Sequence, residues 1–260
     1  MPKVIRIENL SVSYREKVAL QHVSLSIDEG TFLAVIGPNG AGKTTLLTAI
    51  NGLGKIMEGK IKVFGKALDR PANLCQIRRE IGYVPQGLSI DPKFPGSVQD
   101  VVMMGRVGKI GLFRQPGAED YQIVEEVMEL VEISEFKKRP IGHLSGGEQQ
   151  KVAIARALAQ RPRIILMDEP TANLDLRSQR NIVGLIDRIY RETHLTTILV
   201  THLLNHIPGS CKEVVLMKEG KILWRGEKEN LNEGLLSYVY GCPVELVKKE
   251  NRISVDPKWD

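Results

Sequence analysis

The residues Gly37-Pro38-Asn39-Gly40-Ala41-Gly42-Lys43-Thr44-Thr45 bring together glycines, one lysine and two hydroxyls. Their spacing fits G-x-x-x-x-G-K-[ST], a loop whose backbone N–H groups curl around an anion. Glycine permits that curl because it carries no Cβ. Lys43 supplies positive charge to terminal phosphates, and the Thr44 hydroxyl can ligate Mg²⁺. Far downstream, Ile164 to Met167 is an apolar run that ends in Asp168-Glu169-Pro170. A buried strand would deliver Asp168 at its C-terminal edge to hold the metal. Glu169 would then face an attacking water as general base.

A third segment, Leu144-Ser145-Gly146-Gly147-Glu148-Gln149-Gln150, holds a capping box in Ser145 and Glu148. Capping alone does not explain Gly146 and Gly147, because glycine weakens a first helical turn. They make sense where bare backbone N–H groups approach a phosphate. The chain thus offers two phosphate-binding helix starts. The second has no lysine beside it, which suggests a site completed across two subunits.

These groups need a parallel sheet to hold them. Thr31–Ile36 is continuously apolar, as expected of a strand buried on both faces. It feeds the glycine loop and then a helix carrying Leu46, Leu47 and Ile50. Ile164–Met167 and Thr197–Val200 repeat the buried-strand pattern around a helix expected over 177–191. The alternation at His22–Asp28 predicts an antiparallel β region near the start. Lys60–Phe64 and Ile81–Val84 are short strand candidates. Between 97 and 160 the period becomes helical. Val98, Val101 and Val102 form one stripe; Tyr121, Val124, Val127, Met128 and Val131 form another; Val152, Ile154, Ala155 and Leu158 form a third. Val214–Met217 and Ile222–Trp224 flank Lys218-Glu219-Gly220-Lys221, a hairpin pattern.

GPNGAGKTT, LSGGEQQKVAIARAL and IILMDEPTANLD, in this order, resemble the ATP-binding subunit of ABC transporters. The resemblance covers residues 3–226. It implies an α/β P-loop NTPase core of ABC type with a mixed sheet, an N-terminal antiparallel β subdomain and a helical subdomain inserted at about 87–160. The ATP-binding domain would span 1–226, and 227–260 would be a C-terminal extension. ATP and Mg²⁺ are the implied cofactors. Gln86 matches the family glutamine that contacts Mg²⁺ and water and relays to the permease. His202 matches the histidine at the γ-phosphate, Asp175 the dimer-interface aspartate, and Tyr14 the aromatic that stacks on adenine. Ser145, Gly146 and Gly147 would close the ATP site of a partner protomer. His202 and His206 have the spacing of a zinc pair, but a third ligand is not evident.

Residues 81–116 resemble those of zinc- and manganese-type metal importers, with siderophore and haem importers as the alternative. The substrate would then be a divalent ion that this chain never touches. The implied partners are a second ATPase subunit, membrane-spanning permease subunits and, indirectly, an extracytoplasmic binding protein. Asp91–Gly96, a proline-stiffened segment displaying Phe94, is expected to dock the permease.

The whole chain fits this picture. It has 260 residues, 42% hydrophobic and 26% charged, enough for a large core and unlike a disordered chain. A net charge of +5 suits an anionic ligand and is too weak to indicate nucleic acid by itself. A non-transport ABC ATPase acting on nucleic acid or the ribosome is the remaining alternative. Cys75, Cys211 and Cys242 form no ligand pattern and suit a reducing compartment. No run approaches the ~20 apolar residues of a membrane helix. The expected place is the cytoplasmic face of a membrane, held there by other chains.

Overall fold

The computed structural model describes residues 2–14, 17–87, 94–111, 113–249 and 252–258. Two long strands, β1 (Lys3–Tyr14) and β2 (Lys17–Asp28), pair antiparallel. With β4 (Lys55–Val63) and β5 (Lys66–Ala67) they form a four-stranded sheet in the order β2-β1-β4-β5. A second sheet contains β3 (Phe32–Ile36), β6 (Ile81–Val84), β7 (Ile164–Asp168), β8 (Thr196–Thr201), β9 (Glu213–Lys218) and β10 (Lys221–Glu227). Its order is β10-β9-β3-β8-β7-β6. All neighbours are parallel except the β9–β10 hairpin, so the sheet is mixed, as expected from the motifs.

The unbroken apolar runs of β3 and β7 have a direct cause. Successive side chains on a strand point to opposite faces, and both faces are covered. Ala34, Ile36, Ile165 and Met167 enter one core; Leu33, Val35, Ile164 and Leu166 enter the other. The second core is shared with the antiparallel sheet and with α1 (Lys43–Ile50), through Leu46, Leu47 and Ile50. Helix α2 (Pro71–Arg78) contributes Ile77 to it.

The first core is roofed by the helical block between β6 and β7. That block comprises α3 (Val98–Met103), α4 (Val107–Ile110), α5 (Ala118–Leu130) and α6 (Gly146–Ala159). Helix α5 buries Ile123, Val124, Val127 and Met128, whereas Tyr121 is 47% exposed. The expected stripe is therefore turned: Ile123, one turn before Val127, occupies the inner face. Helix α6 is buried nearly all round, from Val152 through Ala159, and its alanines admit neighbours on several sides.

Helix α7 (Leu176–Thr193) runs between β7 and β8 and covers the same core with Ile182, Leu185, Ile186 and Ile189. The chain closes with α8 (Glu233–Tyr240) and the hairpin β11 (Val244–Lys249) and β12 (Arg252–Pro257). Leu236, Val239, Val244 and Ile253 join the first core, so this polar-looking tail is packed into the body of the protein.

Candidate active site

Four parallel strands end side by side. Ile36 pairs with Thr201, Val200 with Asp168, and Met167 with Val84. The loops that start after these residues therefore emerge along one sheet edge, where open α/β sheets bind ligands. They line an open cleft of about 1070 Å³ together with Gly40–Thr45, Gln86, Glu169 and His202.

The glycine loop is fixed by close approach. A Cβ on Gly37 would lie 2.1 Å from the Met217 carbonyl oxygen. Gly42 sits at φ +96°, and a Cβ there would lie 2.7 Å from the Ala19 oxygen. The Gly220 amide donates to the Ala41 carbonyl at 3.1 Å, and the Gln21 amide donates to Gly220 at 2.9 Å. The Lys218–Lys221 hairpin thus braces the loop from behind. Gly42 is also the N-cap of α1 and offers no side-chain acceptor, so capping does not occupy the first amides of that helix.

Lys43 opens α1 and is only 5% exposed. Its Nζ donates to the Gly37 carbonyl at 2.8 Å and the Pro38 carbonyl at 3.0 Å, and stands 3.7 Å from Glu169 Oε1. Burial lowers the Lys43 pKa, while Glu169 and Asp168 oppose that shift. Thr44 Oγ1 donates to Asp168 Oδ1 at 3.1 Å. Tyr83 Oη lies 3.5 Å from Asp168 Oδ2, at the long limit of a hydrogen bond. Burial, with Asp168 beside it, pushes the Tyr83 hydroxyl up to about 12, so it stays a donor. Asp168 is 1% exposed, and burial raises its pKa, with Glu169 adding to the shift.

Glu169 has φ +44°, a left-handed conformation that costs a non-glycine residue about 1–3 kcal/mol. Its amide donates to Val200 at 2.9 Å, which holds the turn against β8. The carboxylate meets two further groups. Gln86 Nε2 donates to Oε2 at 3.2 Å. His202 Nδ1 lies 3.1 Å from the same oxygen, but poorly aligned, so this buried nitrogen has contact without a proper hydrogen bond. His206 does not join a metal pair: its Nδ1 meets Thr171 Oγ1 at 2.7 Å, and burial, with His202 nearby, lowers its pKa. Among the described residues no group of three acidic, histidine or cysteine side chains could hold a metal.

The structure gathers Lys43, Thr44, Gln86, Asp168, Glu169 and His202 but leaves Ser145, Gly146, Gly147 and Asp175 outside the cleft. Ser145 caps α6: its Oγ accepts from the Glu148 amide at 3.4 Å, and its own amide donates to Glu148 Oε2 at 2.6 Å. Asp175 caps α7, accepting from the Arg177 and Ser178 amides at 3.0 Å each. Hydrogen bonds from the Ser178 hydroxyl and amide hold its carboxyl below the usual range. Gly147 has an internal reason to be glycine, since a Cβ would lie 2.7 Å from Ser178 Oγ. Tyr14 ends β1, and its side chain lies outside the described residues, as do residues 91–93 of the expected docking segment. Phe94 is half-buried, folds over Gly96 and packs on the first core. Tyr83 and Thr171 escaped the motif reading; their only signal was proximity to matched residues.

A glycine loop at the head of a helix, an acid pair on the neighbouring strand and a glutamine and histidine facing them define a P-loop ATPase. Residues 20–172 match the ABC transporter family, and the chain belongs to it. Its chemistry is nucleotide binding and ATP hydrolysis. The manganese transport system ATP-binding protein MntB of Listeria monocytogenes is 35% identical, over 92% of this chain and 98% of that protein. A chain of an ABC transporter assigned to the metal-chelate type, solved inward-facing, superposes with a TM-score of 0.84 at 30% identity. That superposition covers 99% of this chain and 98% of the other. A dimeric bacterial ABC transporter cassette superposes with a TM-score of 0.75 at 32% identity, over 86% of this chain and 98% of its own.

Proposed function

We propose that this chain binds ATP with Mg²⁺ and hydrolyses it as one of two head-to-tail cassettes that drive import of a divalent metal ion. The observation that carries the reading is the contact of Glu169 with both Gln86 and His202, on the open side of the phosphate loop. Glu169 would take a proton from water. Lys43 meets the developing phosphate charge, and Gln86 and His202 orient what lies between them. Thr44 and Asp168, with Gln86 nearby, would hold Mg²⁺. Their hard oxygen donors suit it, and a site this small would be completed by phosphate oxygens and water. When bound, the ion supplies charge neutralisation to the phosphates. Tyr14 would stack on adenine. Ser145, Gly146 and Gly147 would reach the nucleotide of the second cassette, with Asp175 at the seam.

Transport needs membrane-spanning partners, because none of the described helices is long and apolar enough to cross a membrane. The cassette would act at the cytoplasmic face. A groove of about 480 Å³ between α2 and α4, lined by Leu74, Arg78, Arg79 and Val107, suits a cytoplasmic helix of a permease. Extracytoplasmic capture of the ion would fall to a separate binding protein. The similarity to a manganese transport subunit over nearly the whole chain supports a free divalent ion as cargo. The metal-chelate structure favours a chelate as the second reading. Uptake by membranes holding the chain and its permease separates them. ATP-dependent manganese uptake, lost in Glu169→Gln, is expected. Uptake and stimulated ATPase with an iron chelate, but not with free manganese, would reject the first reading.

A further inference from the structure

We propose that Tyr240 is a positioning residue for His202, so that the C-terminal module of α8, β11 and β12 sets the rate of the hydrolytic step. The inference rests on the reading of His202 as a γ-phosphate contact. Strand β8 ends at Thr201, and the chain turns at once. Inside the turn the Leu203 amide donates to Thr201 Oγ1 at 3.1 Å, and that hydroxyl reaches the Leu203 carbonyl at 3.4 Å. These bonds pass over His202 without holding it. The hydrogen bond to the His202 carbonyl comes from Tyr240 Oη, 3.1 Å away and from the last residue of α8. Burial raises the Tyr240 pKa well above its ordinary value, so the hydroxyl remains a donor throughout the working pH range.

The donor stands on a firm base. Leu236 and Val239 of α8 are fully buried in the core that also holds Leu204 and Ile207. Lys218 Nζ donates to the Tyr238 carbonyl at 2.7 Å, tying the end of α8 to the end of β9. The hairpin is locked to the other end of α8. The Leu246 amide and Lys258 Nζ each donate to the Glu233 carboxylate at 2.9 Å. Strand β12 packs on the turn Leu204–His206. From the opposite side, Thr171 ties His206 to the segment that follows Glu169. The loop bearing His202 is thus held between the acid turn and the C-terminal module. Fixing its carbonyl restricts rotation about the Cα–C bond of the residue that carries the imidazole.

The bond acts on a histidine in contact with Glu169, whereas the glycine loop and Lys43 supply most of the grip on the nucleotide. Its loss should therefore slow turnover and leave binding alone. Tyr240→Phe keeps the ring and removes the donor. In the full chain assembled with its permease, kcat for ATP hydrolysis should fall about three- to tenfold, the rate equivalent of one neutral hydrogen bond. The KM for ATP should stay at its parental value, and the melting temperature should fall no further than the few degrees that one hydrogen bond is worth. His202→Ala should lose more activity, and adding Tyr240→Phe to it should change kcat less than about twofold, since both act through one group. A parental kcat in Tyr240→Phe alongside an impaired His202→Ala overturns the proposal and leaves the His202 reading standing. A parental kcat in His202→Ala removes that reading and the proposal with it. A joint fall in melting temperature, kcat and affinity in Tyr240→Phe would mark Tyr240 as packing support only and also overturn it.

Discussion

The cleft around Lys43 and the helix start at Ser145 use the same material, glycines at the head of a helix, yet they differ in what is left over. In the cleft, charges converge without cancelling. Asp168 and Lys43 are buried with their pKa values moved against ionisation, and Glu169 sits in a left-handed turn. At Ser145 the local groups satisfy one another through the capping box, and Gly147 closes on Ser178. The first region holds tension that a ligand can relieve. The second is finished locally and exposes a rigid edge. Within one cassette, only the first is a site by itself.

The sharpest way to break this comparison is at Glu169. Glu169→Gln should lower ATP turnover by about 10²–10⁴-fold, the range for a general base, while nucleotide binding persists. Phosphate release at the parental rate would show that the proton leaves by another route. The Ser145 region should behave differently. Ser145→Arg should leave nucleotide binding by the single chain intact and lower turnover more than about tenfold, because the cation blocks closure against a second cassette. Size-exclusion of Glu169→Gln with ATP, with and without Ser145→Arg, reads the pairing directly. A dimer that persists in the double variant would contradict a shared site.

The buried charges make a stability prediction. A carboxylate whose pKa rises on folding contributes stability below its unfolded pKa and loses it as pH rises through the folded value. At neutral pH the ionised Asp168 is therefore a cost. Asp168→Asn keeps an acceptor for Thr44 and should raise the melting temperature of the nucleotide-free chain at neutral pH. It should also abolish magnesium-dependent turnover. The gain should shrink as pH falls toward the carboxylate range, which thermal melts across pH will report. Gly147→Ala tests the other region. It should cost about 1–3 kcal/mol through the clash with Ser178 and leave nucleotide affinity of the single, unpaired chain unchanged. An unaltered melting temperature would mean that the glycine answers to a ligand and not to α7.

Much of the site could be read from residues in order, because phosphate binding needs particular types at particular spacings. The loop at Gly37–Thr45 and the acids at Asp168-Glu169 announce strand ends, and both lie at strand ends. The buried strands were legible for the same reason: two covered faces leave no polar positions in β3 or β7. The weaker inferences failed where one apolar face competes with another. Tyr121 and Ile123 both extend the α5 stripe, and the packed structure buries Ile123 while leaving Tyr121 47% exposed. Phe94, expected as an anchor for a partner, rests half-buried against Gly96 and the first core, which leaves its docking role to experiment.

Sequence by itself determined the family, the chemistry and the residue types of the site, because each motif is local and its spacing reflects one loop or one helix turn. The tertiary structure decided what those residues do to each other. The approach of Gln86 and His202 to Glu169, the burial that shifts Lys43 and Asp168, and the hold of Tyr240 on His202 all join positions far apart in the chain. Such contacts depend on which strands lie side by side and how the final helix packs. No local period encodes that, since it follows from burying the two faces of one sheet together.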